Sequence, residues 1–126
     1  MVEVPVKKLA RLCNPFVTPP WGIGKVTLVM VIEALMNGVV KDAQLPVPAN
    51  STPKIHAHRI AFLVEHPAID PIEVDIGVPD LGYIPDWIVI DGNHRLGAAI
   101  IMGKETIPAC VSGDIDYGYR LFGVSI

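Results

Sequence analysis

The densest group of chemically capable side chains in this sequence is Asp91-Gly92-Asn93-His94-Arg95. The apolar run Trp87-Ile88-Val89-Ile90 precedes it and the small-residue run Leu96-Gly97-Ala98-Ala99 follows. That order reads as a strand, a tight turn and a helix. A helix N-terminus carries unpaired backbone N–H groups and a partial positive charge, which makes the turn a ready anion site. Gly92 lets the backbone turn sharply and lets a ligand come close. His94 and Arg95 add donors at the same place, and an arginine holds a phosphate through two parallel hydrogen bonds. A carboxylate beside a phosphate site, here Asp91, can hold a Mg²⁺ that bridges to a nucleotide. The same residues also permit a plainer reading, in which Asp91 caps the helix and His94-Arg95 is a surface pair.

A second element must face this turn if it is to enclose anything. Thr52-Pro53 is a helix start, with Thr52 as N-cap and proline in the first helical position. The pattern predicts a helix over 53–65 that is closed by His66-Pro67. Ala57, Ile60, Leu63 and Val64 share its apolar face. His56 and Arg59 lie three residues apart on one flank and can point at a common object. His56 and His58 project about 200° apart, so they cannot readily share a metal ion.

The other elements are expected as follows. Val2–Leu9 reads as an edge strand because of Pro5. Val26–Met36 reads as a buried helix, apolar nearly all round, that stops at Asn37-Gly38. Residues 41–53 form a polar, proline-rich connection. Asp70–Ile76 alternates as a half-buried strand, and 77–86 is a loop. Trp87–Ile90 reads as a central strand, Leu96–Met102 as a two-turn helix and Thr106–Val111 as a further strand. The tail from Gly113 to Ile126 has no clear pattern beyond aromatic residues that can pack back on the core. Trp21 and Trp87 are expected as core or pocket walls. Gly22-Ile23-Gly24-Lys25-Val26-Thr27 lacks the spacing of a nucleotide phosphate loop.

The chain has 126 residues, 51% of them hydrophobic and 18% charged, so one domain with one real core is expected. The net charge of −3 and the absence of a basic run beyond Lys7-Lys8 argue against dedicated duplex-DNA binding. Cys13 and Cys110 have no CxxC spacing and read as reduced thiols. The N-terminus shows no signal pattern, and the longest apolar stretch is too short to span a bilayer. A cytoplasmic protein with no membrane association is the expectation.

With these motifs in place, the chain resembles the ParB/sulfiredoxin-like superfamily. The resemblance rests on an ordered series: the 53–65 helix, Pro71-Ile72-Glu73-Val74, the Asp-Gly-x-His-Arg turn at 91–95, Gly103, and Ile107-Pro108-Ala109-Cys110-Val111. It covers about residues 53–112 and leaves 1–50 as an apolar N-terminal extension. It implies an α/β (α+β) fold, with a small mixed sheet flanked by short helices. It also implies a site for ATP or another nucleoside triphosphate with Mg²⁺. Gly92, Asn93, His94 and Arg95 would contact the phosphates, His56 and Arg59 would close the far side, and Asp91 would hold the metal. Asp91, His94 and Arg95 are the catalytic candidates.

The resemblance also sorts the activities. Asn93 stands where sulfiredoxins carry their catalytic cysteine, and an amide cannot act as a thiolate. The chain is too short for the DNA-binding and dimerisation regions of partition proteins. An ATPase with possible nuclease activity, of the small plasmid or phage type, is the leading expectation. A small-molecule kinase of the free-serine-kinase type is an alternative, with Glu33 as its candidate acidic residue. A different class is a non-catalytic interaction protein in a DNA-partition or DNA-transfer assembly. It would dock a protein partner or a second copy through the apolar N-terminal region.

Overall fold

A computed structural model describes residues 1–42, 45–48 and 51–126. The expected connection over 41–53 therefore lies partly outside the described residues, at 43–44 and 49–50. The fold is mixed α+β. Four strands, β1 (Val2–Pro5), β2 (Ile72–Asp75), β3 (Val89–Asp91) and β4 (Thr106–Ser112), form one sheet in the order β1-β4-β2-β3. The pairs β1–β4 and β2–β3 are antiparallel, and β2–β4 is parallel. Five α-helices accompany the sheet: α1 (Val6–Leu12), α2 (Leu28–Asn37), α3 (Pro53–Glu65), α4 (Asn93–Ile101) and α5 (Ile115–Phe122).

The strands follow from alternation. In β2, Ile72 and Val74 are buried while Glu73 is exposed, the pattern of a sheet with one face on the core. Ile72 lies opposite Ala109 and Val74 opposite Val111 in the parallel register. The apolar run at 87–90 proves to be an edge element. Only Val89–Asp91 is strand, Ile88 and Val89 turn inward, and Ile90 is exposed on the other face. The central positions go to β2 and β4.

The first expected strand divides in two. Val2–Pro5 pairs with β4 at the sheet edge. The Val6 N–H then donates to Glu105 O (2.9 Å) and the chain winds into α1, whose Val6 and Leu9 face the core. The tail is helical as well. Asp114 caps α5 by accepting the Tyr117 N–H (2.7 Å), Gly123 stops it in the left-handed region, and Phe122 is buried.

The helices form two further layers. α4 lies on the sheet through Leu96 and Ala99, while its Ala98 belongs to a second apolar cluster with Ala57, Ile60 and Leu63 of α3. Gly97 sits at the α3 contact, where a Cβ would come within 3.1 Å of Ile60 Cδ1 and 3.5 Å of Phe16 Cζ. α2 in turn packs on α3 through Val31 and Ala34. The expectation of a buried α2 is corrected here. Only one face is covered, and Leu28, Val29, Ile32 and Met36 are exposed.

Because α4 has room for small residues only where it meets α3, Gly97→Leu should force the two helices apart. The expected cost is about 1–3 kcal/mol, read as a lower urea midpoint with little change in slope.

Candidate functional site

α3 begins as its cap predicts. Thr52 Oγ1 accepts the Ile55 N–H (3.3 Å), and Pro53 occupies the first turn. This phase turns His56 and Arg59 inward, with 2% and 5% of their surface exposed. Arg59 Nη2 donates to Leu45 O, and Lys41 N–H donates to His58 O (3.1 Å). These two bonds hold the described parts of the 41–48 connection against α3. Burial lowers the Arg59 pKa and the Asp42 carboxylate opposes that shift, so a desolvated positive charge is maintained beside the histidines.

α4 starts three residues earlier than the sequence pattern implies, at Asn93. His94 and Arg95 are therefore helical residues, and consecutive helical side chains diverge by about 100°. Gly92 is the N-cap, with φ +102°, and no side chain caps the helix; the capping role expected of Asp91 is not taken up. The need for glycine at 92 is internal as much as functional. A Cβ there would collide with the Ile72 side chain.

The α3 flank and the α4 start meet in one contact. His56 Nδ1 and His94 Nε2 are 2.8 Å apart, and the two rings lie within 10° of parallel. Trp21, from the turn-rich segment before α2, stacks on both rings at centroid distances of 4.4 and 4.6 Å. One nitrogen of the pair must donate a proton and the other must accept it. Burial lowers both pKa values. For His56 the further cause is the Arg59 charge. His94 is pushed down to about 3, by burial first, then by His56 and Arg59. Both rings are neutral near pH 7, sharing one proton between facing nitrogens, next to a guanidinium. This arrangement can accept or relay a proton and can receive an anion.

The other turn residues point elsewhere. Arg95 Nη1 donates to Asp70 O (2.9 Å) and Pro71 O (3.0 Å), and its Nη2 pairs with Asp91 Oδ2 at 3.2 Å. Arg95 thus ties the α3–β2 connection to the end of β3, and its fork is turned back on the chain. His94 and Arg95 do not converge on one point as expected. Asn93 Oδ1 accepts the Trp87 indole N–H (2.9 Å) and its amide donates to Val89 O (3.2 Å), which locks the turn onto the strand. The Asp91 side chain is 70% exposed.

A cleft of about 300 Å³ lies along the Arg95–Ala99 flank of α4. Its rim sets Glu3, Asp70 and Glu105 against Arg95 and Lys104, which gives a polyanion no net attraction. Among the described residues, no three His, Cys, Asp or Glu side chains converge as a metal cage. His56 and His58 diverge as helical spacing requires, the latter lying near Lys54 and Lys41. Glu33 is exposed on α2. Cys13 is buried at the core edge, where its sulfur accepts the Ile88 N–H (3.4 Å) and burial raises the thiol pKa.

Trp21 is the residue whose place in the site the sequence left open. A tryptophan in a proline-glycine turn carries no spacing that links it to a histidine 35 positions on. Compared with known proteins, the chain finds no match: no family model, no curated protein and no solved structure aligns with it significantly.

Two outcomes follow from this geometry. His94 has a folded pKa below its unfolded value of 6.5, so the unfolded chain binds the proton first as pH falls. Its stability contribution is present above pH 6.5 and is lost toward pH 3, by up to about 1.4 kcal/mol per pH unit. His94→Gln should flatten the pH dependence of the urea midpoint in that window. Arg95→Ala should lower stability by about 1–3 kcal/mol through loss of its carbonyl and carboxylate bonds, measured by the same unfolding curves at pH 7.

Proposed function

We propose that this chain is a nucleotide-binding domain of ParB/sulfiredoxin-like type, whose phosphate site lies between α3 and the start of α4. The observation that carries this reading is the His56–His94 contact. The resemblance expects two segments to face one nucleotide, and their side chains meet with Arg59 alongside. The leading activity is ATP hydrolysis, with nuclease action as a further expectation of the resemblance.

The roles differ from those expected of the turn alone. His56, Arg59 and His94 are the side chains that touch phosphate. The first-turn N–H groups of α4 contribute their dipole, since no side chain caps them. Arg95 and Asn93 act as positioning residues, holding the turn against β2 and β3. Trp21 covers the shared face of the histidine rings, so nucleotide entry requires it to move. Asp91, a single largely exposed carboxylate, suits Mg²⁺ only when phosphate oxygens supply further ligands. The metal would then arrive with the nucleotide.

Anion arrival has a protonic consequence. Two neutral imidazoles that share one proton become better partners for a phosphate when a second proton is taken up. Binding is therefore coupled to proton uptake, and affinity rises as pH falls toward 6.

A second reading, the non-catalytic interaction protein, is favoured by one observation, the uncovered apolar face of α2.

Isothermal titration with ATP, ADP and CTP in the presence of Mg²⁺ tests the main reading, run in buffers of differing ionisation enthalpy. The expected result is binding with net proton uptake near pH 7, weakened at least about tenfold by Arg59→Gln. A folded wild type that binds none of the three, or that binds equally well without Arg59, would overturn the assignment.

A further inference from the structure

The outward face of α2 is a separate feature, and its argument does not depend on the phosphate site. The helix buries Val31 and Ala34 against α3. On the opposite side Leu28, Val29, Ile32 and Met36 are 46%, 61%, 48% and 80% exposed. At 100° per residue these four fall within an arc of about 100°, centred between Ile32 and Met36. Val39, just beyond the Gly38 stop, is also exposed. Glu33 is the one charged residue in the helix, and it lies at the border of this arc. A helix that is apolar on all sides normally has both faces covered.

We infer that this face is a homodimer interface, with α2 of one copy packed antiparallel on α2 of a second copy about a two-fold axis through Ile32. Three observations favour a second copy over another occupant. The stripe is self-complementary about its centre. Leu28 and Met36 lie four residues on either side of Ile32, so the two-fold sets each Leu28 against the partner's Met36 and Ile32 against its own copy. The charge pattern permits this symmetry. Glu33, the one charge of the helix, lies to one side of the stripe, so the pairing leaves both carboxylates at the solvent-facing rim and outside the apolar centre. The helix carries no cation and presents nothing on this face for an acidic partner or an anionic lipid surface to recognise.

The area is also adequate. The four side chains and Val39 present on the order of 500 Å² per copy, so two copies bury about 1,000 Å², the lower bound for a specific interface. Such a size implies a reversible, concentration-dependent dimer. It leaves the sheet and the α3–α4 contact untouched, because the stripe lies opposite the face that Val31 and Ala34 bury.

Sedimentation of the full chain over a wide concentration range, with charge-swap variants, tests the pairing. Ile32 is half-exposed, so Ile32→Glu and Ile32→Lys should each keep the wild-type far-UV circular dichroism and melting temperature. Each alone should weaken the dimer roughly 30-fold or more, and Met36→Glu should do the same. Mixing Ile32→Glu with Ile32→Lys should restore dimerisation, because only a two-fold through residue 32 brings the two new charges together. A wild type that stays monomeric up to about millimolar concentration would overturn the proposal and leave the face to a different protein or to lipid. A dimer indifferent to all three substitutions would overturn it, as would variants that stay monomeric when mixed.

Discussion

The arrangement depends on α4 being thin where it is crowded. Leu96 and Ala99 press on the sheet, while Gly97 and Ala98 receive α3. A large side chain at 97 would separate α3 from α4, and with it His56 and Arg59 from His94. Close approach of the two helices is what brings one ring nitrogen to 2.8 Å from another across 38 residues of chain. The packing of apolar groups thus sets the polar geometry of the site.

That geometry has an electrostatic cost that the fold sustains. Arg59 is almost fully buried, and its charge together with desolvation holds both histidines neutral. Neutral imidazoles are hydrogen-bonded to each other and sheltered by the Trp21 indole, so the pair is satisfied without ligand. On the proposed reading, an incoming phosphate competes with the existing His56–His94 bond and is favoured by the buried guanidinium beside it. In the proposed reading the histidine pair gains a proton as the anion binds. Arg95 follows the opposite logic. Its charge is spent on two carbonyls and a carboxylate of its own chain, and it keeps the turn in place.

Much of this was legible in the sequence where local chemistry and tertiary structure agree. Thr52-Pro53 predicted the start of α3 to the residue, and its phase placed His56 and Arg59 together on one flank, which the structure buries. The alternation at 72–76 and the Ile107–Val111 strand also agree with the structure. The failures have specific causes. Trp87–Ile90 is apolar like a central strand, yet it pairs on one side only, with β2, and Ile90 faces outward. Helix α4 starts at Asn93 because Gly92 supplies the left-handed residue that begins it, and that shift of three residues separates His94 from Arg95. Leu28–Met36 is apolar enough to be buried on all sides, and periodicity does not reveal that only α3 covers it. Asp114 and Gly123 were available as cap and stop for α5, but tyrosines and a glycine masked its helical period. The place of Trp21 depends wholly on tertiary contact.

The most direct test of the central claim is to follow the ring nitrogens of His56 and His94 by ¹⁵N NMR while Mg²⁺–ATP is added at pH 7. The account predicts that the pair takes up one proton, so that its neutral, proton-sharing signals give way to those of a pair holding an imidazolium, while His58 and His66 stay unchanged. Saturable binding that leaves the His56 and His94 signals unaltered, or that shifts only residues lining the cleft beside Arg95, would contradict it.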